Sequence, residues 1–160
     1  MLKRKTEKLI KYLTELGKSL AGAESCTCGL VSSLIAGIPG ASRVFWGTYI
    51  CYTPDAKKQM LGIGEDILLK YGAVSSETAC IMAMNALEKS GADFSYSVTG
   101  LAGPGSDESG KPAGTVWIAI AQSGKKVQPM FFHFTGSRNR VRAKAAIKIL
   151  DELLAACKPL

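Results

Sequence analysis

Histidine is nearly missing from this sequence: His133 is the only one. A Ser-His-Asp arrangement therefore has a single candidate base, and a zinc site has few nitrogen ligands to draw on. Cysteine is present in an odd number, five, at irregular positions, and only Cys26 and Cys28 are close together. That pattern does not read as the disulfide framework of a secreted domain, and no metal or redox cofactor is expected. No run of 18 or more apolar residues occurs, so no membrane span is expected. Met1 to Lys5 carries charge, but Lys11 follows Leu9-Ile10 at once, which is not a signal peptide. A cytoplasmic protein is expected. The sequence also lacks the GxxxxGK[ST] and GxGxxG patterns of nucleotide-binding loops. It has no internal repeat, low-complexity tract or linker. Its 160 residues read as one domain, 1–160, long enough to bury a core without staples.

A net charge of +7 suggests nucleic acid at first sight, but its distribution does not. Residues 1–20 carry a net +4, residues 136–160 another +4, and the middle of the chain a net −1. The excess sits on two segments that read as terminal helices with solvated faces. Duplex DNA calls for a broader basic surface. A small ligand bearing a phosphate fits the C-terminal cluster better.

Apolar residues at Leu9, Ile10, Leu13 and Leu16 share one helical face over 4–16, and Gly17 ends that helix. Ser19 to Ala23 reads as a short strand, Glu24 to Gly29 as a turn, and Leu30 to Ala36 as a helix. Val44 to Tyr52, rich in aromatic and β-branched residues, reads as a strand ending at Tyr52. Thr53 suits an N-cap, Pro54 the first helical position, and Asp55 the first turn. A short helix near Asp66–Lys70 and a longer one capped by Ser75 or Ser76 follow, the latter reaching Ser90. Phe94 to Thr99 reads as a strand, and Gly100 to Gly114 as a glycine-rich loop. Val116–Ala121 and Val127–Phe134 read as strands joined at Ser123-Gly124. Arg138 to Ala156 reads as the last helix. Strands alternate with helices and a hairpin comes late. This predicts an α/β domain: a three-layer α/β/α sandwich with a mixed β-sheet.

Four segments carry candidate chemistry. Glu24-Ser25-Cys26-Thr27-Cys28-Gly29 sets hydroxyl and thiol groups between a strand and a helix start, where unpaired N–H groups form an oxyanion hole; an ordinary Ser/Thr cap explains it equally. Lys57 lies in the first turns of a helix after Tyr52. Partial burial there would lower its pKa and make it a base, while the plain alternative is an exposed lysine beside Lys58. Thr99, Gly100, Gly103 and Gly105 open a loop whose backbone suits a phosphate, or merely turns. Arg138 and Arg142, four apart, share a helix face and suit an anion, or simply meet water.

Taken together, AESCTCGLVSSLI, PGASRVFWGTYICYTPDAKKQMLG, YGAVSSETA, SVTGLAGPGS, KPAGTVWIAI and FTGSRNRVR, in this order, resemble the CinA C-terminal family, which includes nicotinamide mononucleotide deamidases. The resemblance covers roughly residues 5–155. The usual first motif has Gly-Gly after the threonine, where this chain has Cys28-Gly29, a change that bears on pocket width or on the backbone turn. The resemblance implies Ser25 as nucleophile with Tyr52 and Lys57 as its partners, a small-molecule nucleotide substrate and a homo-oligomer, dimer or larger. The domain preceding this one in longer relatives, and its activity, are not expected here.

The implied reaction is hydrolysis of a carboxamide. Lys57 takes the Ser25 proton directly or through Tyr52. N–H groups near Thr27, Cys28 and Gly29 hold the oxyanion, ammonia leaves, and water cleaves the acyl ester. Thr99, Gly100, Gly103, Gly105, Arg138 and Arg142 are the further substrate-binding candidates. Two alternatives stand beside it: an amidase using Cys26 or Cys28, and a non-catalytic nucleotide-binding or DNA-processing module.

Overall fold

The computed structural model describes residues 2–159. The elements in chain order are α1 (Leu2–Leu16), β1 (Leu20–Glu24), α2 (Leu30–Ala36), a 3-10 turn (Ala41–Arg43), β2 (Phe45–Ile50), α3 (Pro54–Leu61), α4 (Glu65–Tyr71), α5 (Ser76–Ser90), β3 (Phe94–Gly100), β4 (Thr115–Gln122), β5 (Gln128–His133) and α6 (Arg138–Ala156). Five strands form one mixed sheet in the order β2-β1-β3-β4-β5. β1 pairs parallel with both β2 and β3, and β4 and β5 add antiparallel. Helices α1, α2 and α6 pack together on one face, and α3 and α4 contact α5 on the other. The layered α/β/α architecture expected from the alternation is what forms. Among the described residues, no helix is long and apolar enough to cross a membrane.

The period-two alternation of β3 explains why both faces are covered. Phe94, Tyr96 and Val98 enter the larger core with Leu9, Leu13 and the apolar stripe of α6. Ser95, Ser97 and Thr99 point the other way, are fully buried, and donate to the carbonyl oxygens of Ala83 (2.6 Å), Ala79 (2.6 Å) and Ala73 (2.7 Å). Small residues on both sides let α5 lie close to the sheet. Gly22 on β1 leaves room for the Tyr96 ring: a Cβ there would lie 2.3 Å from its Cζ.

The chain leaves β1 through α2 on one face to reach β2, then crosses by α3–α5 on the other face to β3. The connections part at the carboxyl end of β1, which opens a crevice there. The expected caps form: Thr53 Oγ1 accepts from the Ala56 N–H at 3.1 Å, and Ser75 Oγ accepts from the Thr78 N–H at 3.1 Å. Several boundaries differ from expectation by a residue or two, and two of these differences bear on the site. β2 starts after a 3-10 turn and ends at Ile50, so Tyr52 lies in the following loop rather than closing a strand. Glu24 belongs to β1 rather than to the turn, because its backbone pairs with both Ile50 and Val98.

Candidate active site

The crevice at the end of β1 is a cavity of about 320 Å³. Its floor holds Ser25, Cys26 and Lys57. Tyr52 and Arg138 line its mouth side, and residues 99–107 form a wall. Ser25 immediately follows β1, and its own N–H donates to the Val98 carbonyl at 3.0 Å, so the strand ladder carries on into the residue.

Lys57 sits in the first turn of α3, and only 1% of it is exposed. Its Nζ lies 2.8 Å from Ser25 Oγ and donates to the Cys51 carbonyl at 3.1 Å. Among the described residues, no carboxylate forms an ion pair with it. Burial pushes its pKa below the ordinary lysine value of 10.5. A neutral amine has two N–H donors and one lone pair. The Cys51 carbonyl can only accept, so it takes an N–H, and the lone pair is left to accept the Ser25 hydroxyl proton. Among the described residues, Ser25 Oγ has, apart from Lys57, only a long contact of 3.5 Å to the Tyr52 carbonyl. The pair is therefore a buried hydroxyl beside an amine whose charged form its surroundings disfavour, an arrangement in which a serine can be activated without histidine.

The largest feature not foreseen is Glu24. It is fully buried and its carboxylate accepts six hydrogen bonds. Oε2 takes the Thr27 hydroxyl (2.7 Å) and the N–H groups of Gly29 (2.9 Å) and Val31 (3.3 Å). Oε1 takes the N–H and hydroxyl of Ser32 (2.8 and 2.5 Å) and the Tyr96 hydroxyl (2.9 Å). Tyr96 is held far above its ordinary pKa, first by burial and then by this neighbouring charge. The chain thus caps α2 with its own carboxylate. An acid eight residues before Ser32, at the end of an otherwise apolar strand, was the available sign.

This capping corrects the expected oxyanion donors. The Gly29 N–H is held by Glu24, and the Cys28 N–H donates to the Ser25 carbonyl at 3.0 Å. Among the described residues, the N–H groups of Cys26 and Thr27 donate to no protein oxygen. Thr27, Cys28 and Gly29 all lie outside the cavity, and Thr27 is fully buried. Cys28 is exposed at φ 48°, the left-handed region, so the departure from Gly-Gly falls on the turn and does not narrow the pocket.

The other expected residues divide. Thr99, Gly100, Gly103, Gly105 and Arg138 all line the cavity. Gly100 admits no side chain, since a Cβ would lie 2.7 Å from the Thr115 carbonyl oxygen. Arg138 is exposed; it donates to the Gly103 carbonyl and to the Tyr52 hydroxyl, both at 2.6 Å. The Tyr52 hydroxyl is thus paired with Arg138 rather than Ser25, and of the two expected routes, direct or through Tyr52, only the direct Ser25–Lys57 contact is formed. Arg142 does not line the cavity. Its guanidinium donates to the Cys26 carbonyl (3.1 Å) and the Thr27 carbonyl (2.9 Å), so it is occupied by the backbone and not open to an anion.

The cysteine alternative loses its chemistry here. Burial pushes the Cys26 thiol up to about 11, which leaves little thiolate near neutral pH. His133 is exposed on β5, the edge strand furthest from β2.

The chain matches the CinA C-terminal domain family over residues 2–157. A CinA-like protein of Thermotoga maritima is 42% identical over 147 residues, which is 92% of this chain and 36% of that protein. A CinA-like protein of Geobacter metallireducens is 42% identical over 144 residues, 89% of this chain and 34% of that one. The chain therefore spans about a third of the length of these curated relatives. Among solved structures, a competence or damage-inducible protein from Enterobacter asburiae superposes with a TM-score of 0.95 at 32% identity, covering 99% of both chains. The competence/damage inducible protein CihA from Agrobacterium tumefaciens gives 0.92 at 36% identity, covering 96% of this chain and 94% of that one.

Proposed function

The chain belongs to the CinA C-terminal domain family, and on that premise we propose that it hydrolyses the carboxamide of nicotinamide mononucleotide to the carboxylate and ammonia. The observation that carries the reading is the buried 2.8 Å contact between Ser25 Oγ and Lys57 Nζ at the floor of the cavity. Neutral Lys57 takes the hydroxyl proton as Oγ attacks the amide carbon. The oxyanion meets the N–H of Cys26, the residue of this turn that lines the cavity beside Ser25. Lys57 returns its proton to the departing nitrogen, and ammonia leaves. Lys57 then takes a proton from water as the water oxygen attacks the acyl carbon, and returns that proton to Ser25 Oγ as the ester bond breaks. The cycle balances with water as the only co-reactant.

The walls suit such a substrate. Val74, Leu101, Ala102 and Pro104 offer apolar area for a flat ring. Among the described residues, the one cation on the cavity wall other than Lys57 is Arg138, which suits the phosphate, with N–H groups of the Gly100–Gly105 loop beside it. An ammonia-release assay over the mononucleotide, its riboside, NAD and free nicotinamide tests the reading. Turnover is expected with the mononucleotide foremost and none with Ser25→Ala. No ammonia from any of the four, with folded protein, overturns it.

A further inference from the structure

The cavity offers one usable base. Among the described residues, its titratable lining is Cys26, Tyr52, Lys57, Asp107 and Arg138. Burial pushes the Cys26 thiol up to about 11, and the Tyr52 hydroxyl is paired with Arg138 at 2.6 Å. A guanidinium does not give up its proton and so cannot serve as a base. The Asp107 carboxylate is held below the ordinary range by the Ser109 hydroxyl, and its Oδ1 also accepts from the N–H groups of Ser109 and Lys111 at the loop tip, which makes it a weak base. Lys57 therefore serves both halves of the reaction. Once Ser25 Oγ carries the acyl group it has no proton to give. The Lys57 lone pair is then free for whichever protic nucleophile reaches the acyl carbon. Among those lining residues, no second base is set aside for water.

We propose that the acyl-Ser25 intermediate accepts small neutral amines as well as water, which makes the chain an acyltransferase in addition to a hydrolase. The activity rests on the amide-hydrolysis reading above. In that reading ammonia departs from a point where Lys57 hands it a proton, so an incoming neutral amine follows the same path in reverse. The desolvated floor that lowers the Lys57 pKa disfavours an ammonium ion in the same way, and Arg138 on the mouth side repels one. Hydroxylamine is small, and neutral at mildly alkaline pH. Its nitrogen lone pair forms the new C–N bond, the C–Oγ bond breaks, and a proton passes from that nitrogen through Lys57 to Oγ. Carboxamide and hydroxylamine thus give hydroxamate and ammonia, with nothing oxidised or reduced.

Mass spectrometry of the products formed from the mononucleotide, over a series of hydroxylamine concentrations at mildly alkaline pH, tests the proposal. Hydroxamate is expected beside the acid. Doubling the hydroxylamine should double the ratio of hydroxamate to acid, while ammonia release does not slow. Ser25→Ala, folded by circular dichroism, should form neither product above the enzyme-free rate. Ammonia release with the acid as sole product at every hydroxylamine concentration overturns the proposal and leaves the hydrolysis reading standing, because water then has a place that an amine cannot take. Hydroxamate formed equally well by Ser25→Ala also overturns it, since the transfer would not pass through Ser25. Neither ammonia nor hydroxamate from folded parent, with the mononucleotide, its riboside, NAD or free nicotinamide, removes the hydrolysis reading and the proposal together.

Discussion

On one side of the cavity, Ser25, Lys57 and the Cys26–Thr27 turn are buried and fixed by Glu24, Arg142 and the Cys51 carbonyl. On the other side, Pro104, Gly105 and Ser106 are exposed. Asp107 organises the tip by accepting from the Ser109 and Lys111 N–H groups, at 3.0 and 2.9 Å. The first wall holds its groups in one geometry before any substrate arrives, which is what charge stabilisation in a transition state requires. The second is a surface loop, where recognition is more easily altered than chemistry. Substitutions on the first wall should therefore lower kcat, and those on the second should raise KM.

The largest effect is expected at Ser25. Ser25→Ala should lower turnover by about 10⁴ or more, as loss of a nucleophile does elsewhere. It should leave the fold unchanged by circular dichroism, since Ser25 Oγ bonds little besides Lys57. Retained turnover would remove the buried wall from the chemistry.

Lys57 comes next. Lys57→Met and Lys57→Arg should each lose roughly 10²–10⁴ in kcat, because arginine cannot act as a base. The parent kcat/KM should rise with pH along a limb set by Lys57, which lies below 10.5 because the site is desolvated. Stability follows the same group. Between its lowered folded pKa and 10.5, the unfolded chain binds a proton that the folded chain does not. Stability should therefore rise with pH across that window and level off above it. Denaturant titrations of the parent and of Lys57→Met at several pH values check this: the methionine variant should lose the slope.

Arg138→Ala probes the exposed wall. It should raise KM for the mononucleotide by about 10-fold to 100-fold, the range of a charge-assisted hydrogen bond, and leave kcat nearly intact. The riboside, lacking phosphate, should be almost indifferent. Equal losses for both substrates would move Arg138 to the chemical wall. Tyr52→Phe should act in the same direction but more weakly, since its hydroxyl meets Arg138. A kcat loss of roughly 10²–10⁴ would instead restore the proton relay. Cys26→Ala should be mildest, within a few-fold in kcat, because burial keeps that thiol protonated.

The sequence showed the layers well, because local pattern and tertiary environment agree: β3 alternates large apolar with small hydroxyl residues, and the faces it meets differ accordingly. Ser25 and Lys57 were legible through the strand–turn–helix setting and the Thr53-Pro54 helix start. Glu24 was not, because a glutamate at a strand end reads as solvent-facing. Only the folded chain shows that α2's N–H groups converge on it. Arg138 and Arg142 looked equivalent on one helix face. Their targets differ because α6 passes the Cys26–Thr27 turn one helical turn beyond the cavity's mouth, a placement no spacing rule contains.

The hydroxyls of β3 have a consequence for how α5 tolerates change. Ser95 and Ser97 are two strand residues apart, about 6.6 Å at ~3.3 Å per residue, and their acceptors Ala83 and Ala79 are one helical step of four, about 6.0 Å at 1.5 Å per residue. The two repeats are nearly commensurate, so strand and helix mesh like a rack and pinion with teeth at Ala79 and Ala83. Thr99 carries the row on to the Ala73 carbonyl, and both of those residues border the cavity. A single residue inserted between Ala79 and Ala83 would rotate one tooth by about 100° relative to the other, whereas a residue added to the exposed loop at 108–110 would leave the meshing untouched. Length variation in descendants of this chain should therefore collect in that loop and avoid α5.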